Sequence, residues 1–575
     1  MSNNLTDRHT GYPSIDKPWL KYYSEEAVNM PLPECSLYDY LLSCNKEHME
    51  DYALNYFGNK ITYRKFFNMI DDVAKSFLKI GVKDGEVVPI VSLSTVASIV
   101  CFYALNRIGA VVDFLNVLAE QADLENFFNE ANARTVVTLD LFGEKVVNAA
   151  NKTEVQQIVL FSVDYEMPLA MKVGYHLKTR NKKENWRSQT NIINWNTFLA
   201  LGKGQPNIQY SKNPCKMCLL AHTGGTTGNP KAVMLSDKAM NAVICQYINV
   251  FGINRREVFL SLIVPFVVYG ILSNVHLPLC LGLETVIIPR FDANEWGNYF
   301  KKYHPNHVLA APSYVSPMLK HPKLQNMDLS CFIFAGVGGD GMTNEIETDL
   351  NEFYRNHNSN ALVLKGYGMT EVCATAITCF PGINKIGSVG IPLPKVNLMI
   401  YDRDKKCEMK NYEIGEICLQ SPSRMIGYLN NEEETNNLFW HHEDGSEWLH
   451  TGDLGYIDED GYLFLSGRMK RVILTTGKGI AYKVFPNIPE KILDSHESVV
   501  QSCIVGAVDG DNQVLRAHIM VNGADMSKTS QIEKELRTLC EEHLPEYSRP
   551  VYYTFHEKLP LTSSGKVDYR ALEQV

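Results

Sequence analysis

At 575 residues the chain is too long for one hydrophobic core, so two or more domains are expected. Its 45% hydrophobic and 21% charged residues are those of a globular protein. A formal net charge of −10 argues against nucleic-acid binding, which needs a basic face. Fourteen scattered Cys lack the dense spacing of a disulfide scaffold, and the CxxC of Cys215 and Cys218 has no second pair or His at zinc spacing. Reduced, buried thiols in a cytoplasmic protein are the expectation. The N-terminus, MSNNLTDRHTGYPSID, carries no apolar segment of a secretory signal.

From Val87, VVPIVSL reads as a strand, STVASIVCFYALNRIG as an amphipathic helix opening on Ser and Thr, and AVVDFLN as a second strand. TVVTLD, QIVLFS, ETVIIP, NHVLAA, CFIFAG and ALVLKGYG repeat the strand pattern, separated by helix-length segments. This alternation predicts an α/β fold of parallel sheets covered by helices. Residues 171–187, MKVGYHLKTRNKKENWR, carry six basic side chains against one Glu and read as a solvated surface loop. The alternative is a patch for an anionic ligand tail or an acidic membrane surface, which leaves peripheral membrane contact open. Leu260 to Leu283 runs 24 residues without Asp, Glu, Lys or Arg, a length that would cross a bilayer. Pro265, Gly270, Asn274, His276, Pro278 and Gly282 interrupt it and no basic flank follows, so a buried strand, a turn and a buried helix are predicted instead, with no membrane span.

After about residue 385, GSVGIPLPKVNLMIYD, GEICLQS and GYLFLSG are strands closed by Gly and Pro turns, which suggests a distorted antiparallel β-barrel. Beyond Arg468, FPNIPEKILDS and SQIEKELRTLCEEHL have helical patterns and alternate with the strands CIVGAV and RAHIMV. The expected organisation is a large N-terminal domain, 1–467, and a small α+β C-terminal domain, 468–575.

Residues 219–235, LLAHTGGTTGNPKAVML, set three Gly and three Thr around Lys231. Closely spaced Gly lets backbone N–H groups converge on an anion, Thr hydroxyls add donors, and Lys231 adds a point charge suited to phosphate. It is not a Walker A loop, because Pro230 precedes the Lys and Ala232 follows it, where Gly and Ser or Thr are required. Alone, the pattern also fits a structural turn. Downstream come KGYGMTEVCA (365–374), LHTGDLGYIDEDGYLFLSGRMKR (449–471) and LPLTSSGKVDYRAL (559–572). With these four segments in order, the chain resembles the adenylate-forming (AMP-binding) superfamily, most closely its medium- and long-chain acyl-CoA synthetases.

The reaction of that superfamily brings a carboxylate onto the α-phosphate of ATP, so positive charge and fixed dipoles are the main requirement. The resemblance implies that Thr223, Gly224, Gly225, Thr226, Thr227, Gly228 and Lys231 wrap the β- and γ-phosphates. It assigns the Tyr367 ring to adenine, the Thr370 hydroxyl to phosphate and the Glu371 carboxylate to Mg²⁺. Gly338, Gly339 and Asp340 would run along the adenine, Asp453 would take the ribose hydroxyls, and Arg468 would donate to the ribose. Lys566 would reach the reacting carboxylate and α-phosphate, which makes Lys566, Thr370 and Glu371 the catalytic candidates. Lys470 matches the hinge on which relatives swing a mobile C-terminal domain between half-reactions.

The resemblance also bears on substrate. Amino-acid-activating members carry an Asp in the segment that here reads VPFVVYGILSN, without an acid; a buried ammonium with no counter-charge is costly. Gly368 stands where acetate-sized specificity brings a Trp, and Val267 and Val268 stand where relatives have His. These three positions outline an open, apolar acid pocket, suited to a medium- or long-chain fatty acid ahead of an aryl or alicyclic acid. Arg471 replaces a usual Asp, and about three extra residues precede VFP in the loop lining the thiol tunnel. Two acceptors therefore stay open, CoA and the pantetheine of an acyl carrier protein. A non-catalytic nucleotide-binding relative is disfavoured, because Glu371, Asp453, Arg468 and Lys566 are all present. The expected activity is that of an AMP-forming acid–thiol ligase using Mg²⁺, ATP and CoA.

Overall fold

The structure, a computed structural model, describes residues 9–179, 185–189, 191–208, 213–223, 231–477, 480–510, 512–561 and 567–573. Two large mixed sheets dominate. One has eight strands among the described residues, in the order Gly427–Tyr428, Ala232–Ser236, Met217–His222, Val111–Leu115, Val87–Val91, Thr135–Leu139, Gln157–Phe161 and Ile192–Asn194. The other has nine, running from Ile391–Pro392 through Ile377–Thr378, Leu362–Tyr367, Phe334–Val337, His307–Ala310, Val258–Ser261, Glu284–Ile287 and Tyr52–Tyr56 to Asn59–Thr62. Both are parallel at the centre, as the strand–helix alternation predicts; the nine-stranded sheet turns antiparallel at both edges and the eight-stranded sheet only at the edge of Met217–His222, Ala232–Ser236 and Gly427–Tyr428. Met217–His222 and Ala232–Ser236 are joined by nine residues, too few for a parallel crossover, so they form an antiparallel pair.

The main core takes side chains from both sheets and from the helices Tyr63–Lys79, Val96–Arg107 and Asp237–Val250. Val96–Arg107 is not the amphipathic helix that its sequence suggests: every residue from Val96 to Asn106 is buried. A helix covered on all sides has no polar face to keep. Thr95 and Ser98 close its N-terminus as a capping box.

The apolar run 260–283 contains the end of the strand Val258–Ser261, then a π-helix, Tyr269–His276, continued by Leu277–Leu281. Its polar residues are bonded inside the core. The Asn274 Oδ1 accepts from the Leu262 amide at 3.1 Å, while His276 meets the Tyr103 hydroxyl at 2.9 Å and Asn241 Oδ1 at 3.0 Å. Burial pushes His276 down to about 3, so it stays neutral. Among the described residues no helix is long and apolar enough to cross a membrane.

The basic stretch is a helix, Leu169–Thr179, over much of its length rather than a loop. Lys172 and His176 lie 4.0 and 3.0 Å from Asp164, and this leaves Leu169, Val173 and Leu177 turned outward at i, i+4 and i+8. All fourteen Cys are free thiols; of the CxxC pair, Cys215 is exposed and Cys218 buried.

Beyond the second large sheet, Asn397–Asp402, Gly415–Gln420, Glu447–Ile457 and Leu463–Arg468 form the body of a curled, antiparallel half-barrel. The C-terminal region is α+β: the hairpin Ile473–Gly477 with Ile480–Val484, a three-stranded sheet, and the helices Asn487–Asp494 and Thr529–His543. Its own core gathers Leu493, Ile504, Leu515, Ile519, Ile532 and Leu536.

Candidate active site

Asp453 and Arg468 lie opposite each other in the antiparallel ladder between Glu447–Ile457 and Leu463–Arg468, which is the physical basis of their spacing in sequence. The Arg468 Nε donates to Asp453 Oδ1 at 2.9 Å, and the Tyr367 hydroxyl donates to Oδ2 at 2.8 Å. Tyr367 is the last residue of Leu362–Tyr367, so the end of the nine-stranded sheet and the half-barrel meet at this carboxylate. An ionised carboxylate accepts hydrogen bonds on both oxygens, the chemistry that recognition of a vicinal diol requires.

Thr370–Val372 forms a 3₁₀ turn, followed by Cys373 and Ala374 with φ of 56° and 74°. Left-handed backbone at two successive non-glycine residues is strained, at about 1–3 kcal/mol each. Amides of Cys373 and Ala374 bonded back to the Thr370 and Met369 carbonyls hold it. Gly368 is needed by this return: a Cβ there would come within 2.1 Å of the Ala374 carbonyl oxygen. The position faces backbone, and a Trp placed there would have to displace the turn that carries Glu371.

Glu371 is buried, with Tyr428 donating to Oε1 at 2.6 Å. Burial raises its carboxyl above the ordinary Glu range, against lowering by Tyr428, Lys231 and Arg468. A buried carboxylate whose charge is penalised, next to a proposed polyphosphate site, fits a hard divalent cation such as Mg²⁺.

Thr223 and Lys231 close the base of the glycine-rich loop. The Thr223 amide donates to the Lys231 carbonyl at 3.0 Å, and the Lys231 amide to Thr223 Oγ1 at 3.2 Å. Gly224, Gly225, Thr226, Thr227 and Gly228 lie outside the described residues, as does Lys566. The Lys231 ammonium pairs with Glu434 and sits 4.8 Å from the Tyr428 ring centroid. Gly338 follows the strand Phe334–Val337 and comes close to the Gly366 carbonyl, with 3.4 Å from its Cβ position; Gly339 needs its φ of 84°, and Asp340 is exposed.

The pocket residues divide. Val268 is buried in the main core whereas Val267 is 43% exposed. Lys470 is exposed, in the short turn Met469–Arg471 between the half-barrel and the C-terminal hairpin. The unexpected Arg471 binds Glu490 at 2.5 Å and the Ile504 carbonyl at 3.3 Å, so it anchors the turn to the C-terminal region.

Three groups near the site escape sequence reasoning. His222, just before the glycine-rich loop, lies 3.0 Å from the fully buried Asp113. Burial lowers His222, but the carboxylates of Asp113 and Glu130 outweigh it and hold the imidazole above its ordinary value. Glu434 and Tyr428 reach Lys231 from about two hundred residues away, and no local spacing signals that contact.

The third group is Glu416, clamped by Arg403 at 2.5 and 2.6 Å, bonded to His450 at 2.8 Å, and accepting from the Gly452 amide at 2.9 Å. Cys418 is close enough to make Glu416, Cys418 and His450 a possible metal triad. Arg403, His450 and Gly452 already occupy both oxygens of Glu416, so the cluster is a strut under the turn that presents Asp453. Glu416→Gln is expected to weaken AMP binding roughly tenfold, the loss of one charge-assisted hydrogen bond. Calorimetric titration with AMP checks this, with a melting curve to separate lost positioning from lost fold; unchanged affinity would remove the strut role.

Residues 43–429 match the AMP-binding enzyme family and residues 489–566 the AMP-binding enzyme C-terminal domain. The chain is 28% identical over 571 residues to the long-chain-fatty-acid–CoA ligase of Bacillus subtilis (strain 168), covering 97% of each chain. It is 26% identical over 561 residues to a probable 4-coumarate–CoA ligase 1 of Dictyostelium discoideum, covering 95% of this chain and 96% of that one. In fold it is similar to ATP-bound MatB from Rhodopseudomonas palustris, with a TM-score of 0.80, 20% identity, and coverage of 94% of this chain and 99% of that one. The chain belongs to the AMP-binding enzyme family and is an ATP-dependent, adenylate-forming ligase.

Proposed function

We propose that this ligase activates an apolar carboxylic acid, of medium or long chain, and transfers it to the thiol of CoA. The observation that carries this reading is the meeting of Tyr367, Asp453 and Arg468 in a chain whose proposed pocket segment, 264–274, holds no acidic residue. The full-length similarity to a long-chain-fatty-acid–CoA ligase supports the acid class.

In the first half-reaction a carboxylate oxygen attacks the α-phosphorus, the bond to the bridging oxygen of the β-phosphate breaks, and pyrophosphate leaves. Lys231 and the glycine-rich loop take the charge of the leaving group, Asp453 and Arg468 fix the ribose, and Thr370 and Lys566 address the α-phosphate and the attacking carboxylate. Glu371 would hold Mg²⁺, which supplies charge neutralisation on the phosphate oxygens. In the second half-reaction the CoA sulfur attacks the acyl carbonyl, the thiol proton passes to solvent, and AMP leaves. The small domain, 468–575, turns on Lys470 between the two steps, exchanging the Lys566 loop for the TTGKG loop, 475–479.

An aryl acid is the second reading, favoured by the similarity to a probable 4-coumarate–CoA ligase. A panel of fatty, aryl and amino acids, read by hydroxamate trapping of the acyl-adenylate, tests both. Medium- and long-chain fatty acids should give the highest kcat/KM. Preference for an aryl acid selects the second reading, and an amino acid would reject both. Release of AMP with free CoA, measured against loading of an acyl carrier protein, decides the acceptor.

A further inference from the structure

We propose that Glu434 is the internal anion with which a polyphosphate must compete for Lys231, so that this residue sets the affinity of the chain for ATP and pyrophosphate. The inference rests on the reading of Lys231 as a ligand of the β- and γ-phosphates. Glu434 is delivered by the helix Glu432–Leu438, whose N-cap Asn431 accepts the Glu434 amide at 3.1 Å. That cap fixes the first turn, and Glu434 then projects onto the lysine that closes the glycine-rich loop. The Tyr428 ring, 4.8 Å from the ammonium, forms a second wall, and the Tyr428 hydroxyl is bonded to Glu371. One tyrosine therefore touches both the proposed metal ligand and the proposed phosphate ligand.

The pair is built to open. Side-chain exposures of 33% for Lys231 and 45% for Glu434 leave it in contact with solvent, where an ion pair is weak. An ammonium is a point charge with three donors and no fixed fork, so it can turn from one carboxylate to a phosphate with higher charge. The Lys231 ammonium, through its hydrogen bond, holds the Glu434 carboxyl below the ordinary range, with a further contribution from the charge of Lys470. Glu434 is thus ionised at neutral pH, and the charges of both the proposed phosphate ligand and the proposed hinge act on it.

Glu434→Gln keeps the side-chain shape and the backbone cap while it removes the competing charge. Titration calorimetry of the full chain at fixed Mg²⁺ should show ATP and pyrophosphate binding about three- to tenfold tighter, the range open to a half-exposed ion pair. AMP, which has no β- or γ-phosphate, should bind unchanged. A merely structural role would move all three ligands together or lower the melting temperature. Lys231→Gln separates the two readings. If pyrophosphate binds that variant as well as it binds the native chain, the phosphate role of Lys231 is wrong. If Lys231→Gln weakens pyrophosphate binding but Glu434→Gln leaves it unchanged or weaker, the competition proposed here is overturned and the phosphate role stands. The double variant should bind pyrophosphate as Lys231→Gln does, since an anion with no cation to occupy has nothing to block.

Discussion

Lys566→Ala is expected to slow acyl-adenylate formation roughly 10²–10³-fold while leaving thioester formation from supplied acyl-adenylate close to native. Only the first half-reaction brings two anions together, so only that step needs one more positioned cation. The ends of the segment carrying Lys566 are fixed: Leu561 and Val567 pair as an antiparallel bridge, and the Asp568 amide donates to the Pro560 carbonyl at 2.8 Å. This base packs near the small cluster of Cys503, Val505, Leu559 and Leu572, so both ends of the segment are anchored in the C-terminal region. Measuring pyrophosphate exchange and CoA-dependent AMP release separately checks the expectation. Equal losses in the two halves would place Lys566 outside the adenylation step.

Glu371→Gln is expected to cost a similar factor in adenylation, about 10²–10³-fold, because the substitution keeps the Tyr428 contact but removes the charge that would hold the metal. The fold should not suffer. Burial holds the Glu371 carboxyl above the ordinary value of 4.5, so the folded chain favours the protonated form. A raised carboxyl contributes stability that is fully present below the unfolded value and is lost as pH rises through the folded value. At neutral pH the ionised group is a burden, and Gln should leave the melting temperature unchanged or higher. Protons and Mg²⁺ should compete for this carboxyl, so adenylation by the native chain should need more Mg²⁺ as pH drops, and that pH dependence should be absent from the residual activity of the variant. A destabilised variant with a native pH profile would make Glu371 structural.

Much of the architecture can be read from short stretches. The runs VVPIVSL, TVVTLD, QIVLFS and ALVLKGYG become parallel strands because each is a buried apolar segment between helix-length spacers, and that information is local. The Gly, Thr and Lys of the proposed phosphate loop, the acid of YGMTE and the Asp–Arg spacing are likewise visible, since each proposed role needs a particular side chain at a fixed backbone offset. The basic stretch shows the limit of such reading. Its charge count suggests a solvated loop, but Leu169, Val173 and Leu177 recur at i, i+4 and i+8, and the segment folds as a helix.

What the amino-acid order supplies by itself here is the list of chemical groups and, through the family resemblance, the class of reaction: Lys231 proposed for a polyphosphate, Glu371 for a metal and Asp453 for a diol. Tertiary structure alone decides what constrains those groups. The all-round burial of Val96–Arg107, the backbone that Gly368 faces, the Arg403–Glu416–His450 strut and the Glu434 carboxylate on Lys231 are contacts between segments distant in the chain. Periodicity and motif spacing report only on neighbours in sequence, within a helical turn or a hairpin. The energies that set a buried carboxylate's charge or a lysine's partner come from atoms that folding, and nothing local, brings within a few ångströms.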